Sequence, residues 1–184
     1  GVIRALAVVD DDLALLADQQ GRSTLELRSL TDGTLGLVGS LTDLPNGARA
    51  LEAQGSMLAV AAGARLILID ASDPSYPQQV GSWSSGGPAV LSVAMAGPWL
   101  LAGSSDRVWW IDSSDGLLTR TWAAERGDSA ALVNAVAVVA GYETNLLRLP
   151  YPVPVASQPL PGQGLGQGMP VSVTLSERLP AQCV

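Results

Sequence analysis

Residues 66–83 read LILIDASDPSYPQQVGSW: a run of Leu and Ile closing on Asp70, a turn carrying Asp73 and Pro74, and a polar stretch closing on Trp83. An apolar run this short, bounded by turn residues, predicts a buried strand rather than a helix. Asp70 stands where that strand gives way to the turn. Its short carboxylate is suited to accept a hydrogen bond from a backbone N–H two residues on, an Asx-turn, while Pro74 presets φ for the reversal. Asp70, Asp73 and Pro74 are therefore read as turn-forming, with Asp112 as the equivalent of Asp70 further along.

The equivalence comes from an internal repeat. Val80-Gly81-Ser82 echoes Val38-Gly39-Ser40, Ile111-Asp112 echoes Ile69-Asp70, and Gly97 echoes Gly55, each 42 residues apart. Trp122 follows Trp83 by 39, because the turn at Asp115-Gly116 is shorter than SDPSYP. Arg49-Ala50-Leu51 follows Arg4-Ala5-Leu6 by 45. Arg28, 42 residues before Asp70, and Arg148 stand as counterparts of Asp70 in the first and fourth units.

Four short strands are expected in each unit. They fall at 3–9, 13–17, 25–30 and 35–41 in the first, and at 48–53, 57–62, 66–71 and 78–83 in the second. The third gives 90–95, 99–102, 107–111 and 117–122, and the proline-broken fourth gives 130–133, 135–140, 145–149 and 153–157. First and second strands are rich in Ala, Val, Leu and Met, as expected where both faces are covered, whereas fourth strands such as QQVGSW are polar. A graded four-stranded unit repeated at this period is the pattern of a propeller blade. The expected fold is all-β, a propeller of four antiparallel blades of about 42 residues, at 1–45, 46–87, 88–128 and 129–157, or an arc of a larger one. First strands are expected nearest the shared axis. The Gly-, Gln- and Pro-rich tract 158–170 reads as a connector, and 171–184 as an extra strand or the start of a further blade.

Composition narrows the chemistry. All ten basic residues are Arg, His is absent, and the net charge is −7. Without a basic stripe, nucleic acid and anionic membrane are excluded as partners. The uncharged stretch Gly86–Ser105 holds Pro88 and Pro98, which suits two strands and a turn rather than a membrane span. A single Cys183 and no His leave no tetrahedral N/S metal site and no Ser-His catalysis, so no cofactor is expected. The tract 159–170 lacks the Lys and Ser/Thr of a phosphate-binding loop.

The stretch 50–83, ALEAQGSMLAVAAGAR followed by LILIDASDPSYPQQVGSW, resembles the LVIVD repeat of bacterial and archaeal surface or secreted propellers. VWWIDSSDGLLTRTW, residues 108–122, keeps the strand, Asp112 and Ser-Asp but loses both prolines. The first and fourth units keep only the hydrophobic skeleton. The resemblance spans about residues 1–157; it implies a propeller and an extracellular or cell-envelope location, and it carries no catalytic residue.

The remaining candidates have ordinary structural readings. Asp10, Asp11 and Asp12 form the densest acidic cluster and offer a possible Ca²⁺ site, yet they fall between two apolar strands and lack the spaced calcium loop. Catalysis would rest on carboxylates such as Glu26, Glu52, Glu125 or Glu143, which show no pairing in sequence. Trp83 and Trp122 occupy equivalent fourth-strand ends and are assigned to packing between blades; Trp99, just after a turn, is the best candidate for an exposed aromatic. The expected function is a non-enzymatic protein-interaction or structural module. The alternative is a propeller that binds carbohydrate or a small ligand, including a carboxylate-based hydrolase. The expected partner is another protein chain, or further blades of a longer chain, since Gly1 opens directly on a strand as in an excerpted product.

Asp70→Ala is expected to lower the melting temperature through loss of the turn acceptor. An activity abolished with an unchanged melting curve would instead make Asp70 functional.

Overall fold

Strands that are apolar on both faces cannot stand as a single sheet in water, and this chain stacks its repeats face to face to cover them. The computed structural model describes residues 1–114 except 20 and 32, and beyond them the backbone of strands 118–122, 129–133, 136–140 and 146–150. The first sheet comprises β1 (Val2–Val9), β2 (Asp12–Gln19), β3 (Arg22–Ser29) and β4 (Leu37–Leu44). The second comprises β5 (Ala48–Gln54), β6 (Met57–Ala62), β7 (Arg65–Asp70) and β8 (Gln78–Ser84). The third comprises β9 (Ser92–Ala96), β10 (Trp99–Gly103), β11 (Val108–Asp112) and β12 (Leu118–Trp122). A fourth sheet contains β13 (Ser129–Val133), β14 (Val136–Ala140) and β15 (Leu146–Pro150). Each is an antiparallel meander in sequence order. The expected strand at 153–157, the connector 158–170 and residues 171–184 lie outside the described residues.

The sheets meet through their first strands: β1 lies against β5, β5 against β9 and β9 against β13. Two apolar layers fill the spaces between the first three sheets. Ala14, Leu16, Leu25 and Leu27 of the first sheet pack on Leu58, Val60, Ile67 and Ile69 of the second. The opposite face of the second sheet, with Ala59, Ala61, Leu66 and Leu68, packs on Leu100, Ala102, Trp109 and Ile111 of the third. Alternation along each strand sends neighbouring residues to opposite faces, so one sheet serves two layers. The repeat extends to its irregularities. The bulge between Ile3 and Ala5 recurs between Ala48 and Ala50, and the irregularity at Leu27/Arg28 recurs at Leu68/Ile69.

Two expectations are corrected. The first strand of the first sheet is not covered on both faces: in β1, Ile3, Leu6 and Val8 are 58%, 57% and 62% exposed, because no sheet among the described residues lies on that side of it, whereas Ser92, Val93 and Ala94 of β9 are buried. The second strands, β6 and β10, are the buried ones. The counterpart of Asp70 in the first sheet is Ser29, not Arg28. Ser29 pairs with Asp12 as Asp70 pairs with Met57 and Asp112 with Trp99. In the fourth sheet the register places Pro150, not Arg148, opposite the start of β14. A fixed sequence shift misses these positions because the hairpin loops differ in length.

One contact sets how the first two sheets abut. Asp73 to Tyr76 closes a turn through Tyr76 N–H donating to the Asp73 carbonyl at 3.0 Å, with Pro74 at its second position. That turn lies against Gly39 in β4 of the preceding sheet. A Cβ on Gly39 would collide with the Pro74 carbonyl oxygen and stand 3.0 Å from the Ser75 carbonyl carbon. Backbone is pressed on backbone there, so neither side yields as a flexible side chain would.

Gly39→Ala is expected to destabilise the protein by about 1–3 kcal/mol through overpacking. Gly36→Ala, where a Cβ meets only Thr34 Oγ1 at 3.6 Å, is the control expected to fall within about 1 kcal/mol of wild type. Denaturant titration of the two variants reads the difference.

Candidate functional site

The turn residues are engaged by their own backbone. Ser72 N–H donates to Asp70 Oδ1 at 2.8 Å, and Ser114 N–H donates to Asp112 Oδ1 at 2.9 Å. In the first sheet Thr31 N–H donates to Ser29 Oγ at 3.2 Å, the same i to i+2 closure made with a hydroxyl. Asp73 Oδ1 accepts from Ser75 N–H at 3.0 Å. The hydrogen bonds from Ser72 hold the Asp70 carboxyl below its ordinary value. These carboxylates spend their lone pairs on turn geometry.

Asp10, Asp11 and Asp12 make the hairpin between β1 and β2. Asp10 takes φ +48°, the left-handed conformation held by Gly55 at +55° and Gly97 at +56° in the equivalent turns. Asp tolerates that region better than most side chains. Together with Val9, Thr31 and Pro74 they line a space of about 350 Å³ between the first two sheets. Among the described residues no three acidic, Cys or His side chains converge as a metal site would require.

The tryptophans are packing groups. Trp83 meets Trp109 edge-on at 5.1 Å and 66°, joining the second sheet to the third. Trp99, expected to be exposed, is 8% exposed and meets Trp110 edge-on at 6.2 Å and 87°. It opens β10 directly after a two-residue turn, so its ring falls back onto the sheet instead of projecting from the loop. The side chain of Trp122 lies outside the described residues.

The carboxylates are dispersed. Glu26 binds Arg28 Nη2 at 2.7 Å and Arg28 Nε at 3.0 Å on the outer side of the first sheet. Glu52 sits half-buried on β5, where desolvation pushes its carboxyl above the ordinary value. Glu125 and Glu143 lie outside the described residues. Asp18 forms a separate structural chain: it accepts from Arg4 Nε at 2.8 Å and Ser23 Oγ at 2.9 Å, while the Ser23 hydroxyl accepts Ala48 N–H at 3.1 Å. That chain ties the first sheet to the start of the second.

An open groove of about 850 Å³ lies between the second and third sheets. Gln54 and Met57 come from the β5–β6 hairpin, Leu68 and Val80 from β7 and β8, Met95 from β9, and Ser113 from the turn after β11. Val80 is 56% exposed, and the described lining residues include no charged side chain. Methionine thioethers are flexible and polarisable, and they adapt to irregular apolar surfaces. Sequence reading missed this groove. Its members are scattered over five segments and carry no motif.

Solved structures with the same fold are propellers or propeller-like. The computationally designed Ika4 protein superposes with a TM-score of 0.70 at 14% identity, over 82% of this chain and 91% of its own. Sqt1 from Chaetomium thermophilum, bound to the N-terminus of the ribosomal protein L10, gives 0.68 at 18% identity, over 82% of this chain and 46% of its own. The Pan2 WD40 domain of Neurospora crassa gives 0.63 at 9% identity, over 80% and 49% respectively. This chain thus spans about half the length of these two natural propeller chains. No family model matches the sequence, and neither does any curated protein.

Stability should respond to pH in two opposite ways. Asp18, Asp70 and Asp106 lie below the ordinary Asp value of 3.8, so the stability they add is present above that value and is lost as pH falls further. Glu52 lies above the ordinary value of 4.5, so its contribution is most favourable below that value and is lost as pH rises. Glu52→Gln is expected to raise the melting temperature at neutral pH, with the gain shrinking as pH falls towards 4.5. Thermal melts across that range test the sign.

Proposed function

We propose that this chain is a non-enzymatic protein-interaction module, a four-bladed propeller or an arc of a larger one, that docks another protein in a cell-envelope or extracellular assembly of a bacterium or archaeon. The observation that carries this reading is the neutral, apolar, methionine-bearing groove between the second and third sheets. An apolar groove with backbone and hydroxyl groups at its rim suits a peptide segment of a partner protein. Sqt1, which shares the fold, is bound to a protein N-terminus. The resemblance of residues 50–83 to the LVIVD repeat supports the envelope or extracellular setting.

The carbohydrate-binding or hydrolytic alternative needs an aromatic platform, and hydrolysis needs two carboxylates flanking one bond. Among the described residues the tryptophans pack between strands, and Glu26 and Glu52 stand on different sheets. No observation on this chain favours that alternative.

A photo-crosslinking residue in place of Val80 tests the proposal in the native host. The expected result is one crosslinked protein in the envelope or secreted fraction, lost when Met57 and Met95 are both replaced by Asp with the fold retained. The same residue placed at Tyr76, 68% exposed and outside the groove lining, is expected to give no such adduct. Crosslinking that is absent at Val80, or equal at both sites, would sink the assignment.

A further inference from the structure

The groove between the second and third sheets has a counterpart one junction earlier, and there the chain supplies its own occupant. Register makes the two spaces equivalent. Val9 pairs with Asp12 across the β1–β2 turn as Gln54 pairs with Met57 across the β5–β6 turn. Ala71 N–H donates to the Ser56 carbonyl at 2.9 Å, and Ser113 N–H donates to the Pro98 carbonyl at 2.8 Å. Val9, Asp12 and Ala71 line the earlier space, of about 350 Å³. Gln54, Met57 and Ser113 line the later one, of about 850 Å³.

The two differ where Pro74 stands. Pro74 lines the earlier space, and the turn that carries it lays the Pro74 and Ser75 backbone on Gly39. Gly39 pairs with Leu27 as Gly81 pairs with Leu68, and each glycine follows a bulged valine. Val38, beside the seated turn, is half-buried, whereas its counterpart Val80 is 56% exposed and lines the groove together with Gly81. The third unit has no comparable segment to lay on Gly81. Residues 71–77 join Asp70 to Gln78, but only residues 113–117 join Asp112 to Leu118. The shorter connection reads SSDGL and contains no proline.

We infer that the groove receives a proline-bearing turn of a partner protein, with the Asp-Pro-Ser-Tyr chemistry that residues 73–76 display one junction earlier. Built on the interaction-module reading, this assignment names what the groove recognises. Such a turn carries its own hydrogen bonds. Asp73 Oδ1 accepts from Ser75 N–H at 3.0 Å and from the Ser75 hydroxyl, and Tyr76 N–H donates to the Asp73 carbonyl. It therefore brings a satisfied carboxylate to a groove whose described lining holds no charged side chain. Proline fixes φ in advance, which lowers the entropy lost on docking. Gly81 has no Cβ to hold the incoming backbone away, as Gly39 has none, and Met57 and Met95 adapt to the flanking side chains. A second copy does not supply the turn, because its own residues 73–76 are already seated on its own Gly39.

Binding of the capped peptide ASDPSYPQ, which reproduces residues 71–78, tests this on the 184-residue chain. Isotope-labelled methionine methyl signals are expected to shift saturably at Met57 and Met95. The same peptide with both prolines replaced by alanine is expected to bind about tenfold more weakly, or worse. Gly81→Ala is expected to weaken binding by a similar factor at a melting temperature near that of wild type. If Gly81→Ala does not fold, replacing SSDGL at 113–117 by ASDPSYP gives the second reading: the grafted turn is expected to take the seat and abolish peptide binding. Absent shifts, equal binding of the proline-free peptide, or undiminished binding to either folded variant would overturn the inference. So would a crosslink from Val80 to residues 150–184 of the same chain. A peptide that fails while Val80 still crosslinks a partner would overturn this inference alone, whereas loss of both would remove the interaction module as well.

Discussion

The structure depends on one constraint: the middle strands of the second and third sheets are apolar on both faces and must be covered twice. In the second sheet, Leu58 and Val60 of β6 point into one layer while Ala59 and Ala61 point into the other, all fully buried. No single sheet satisfies such a strand, so stability comes from the stack rather than from any one repeat. Small residues at half of these positions let neighbouring sheets approach closely. The fourth strands of the first three sheets lie farthest from the first-strand contacts, which is why they tolerate Gln, Ser and Thr.

The same constraint gives the turns their role. A stack needs its sheets held at a fixed offset, and apolar layers alone supply little directional preference. The offset comes from directional contacts at the edges. Pro74 and Ser75 seat on Gly39, Ser23 joins Asp18 to the backbone of Ala48, and Val90 N–H donates to the Gly63 carbonyl at 2.8 Å. Asp70 and Asp73 shape the turn that reaches Gly39. The most conspicuous carboxylates of the sequence are thus committed to positioning one sheet on the next.

Beyond this the described surface has two apolar areas. The groove between the second and third sheets is neutral and lined by adaptable side chains, the chemistry of a peptide seat. The flank of the first sheet is broad, mostly apolar and built on the register of an internal junction. Among the described residues these surfaces present apolar contact area, and their carboxylates are dispersed over different sheets.

The sequence by itself determined the repeat, the strand order and the chemistry of the turns, because these are local. Alternation, turn residues and an acceptor two residues from its donor are fixed within a few positions of one another. The second unit shows this most clearly: its β6 runs 57–62 as read, and its β8 begins at Gln78. Equivalence across units was less legible, and Ser29 rather than Arg28 stands in for Asp70 because pairing register follows loop length, not a constant shift. Only the tertiary structure decided which apolar residues are core. Leu6 and Leu51 occupy the same position in their units and share strand, rank and neighbours in sequence, yet one is 57% exposed and the other 7%. Burial is a property of what lies across the face. No residue within a strand encodes whether another sheet is there.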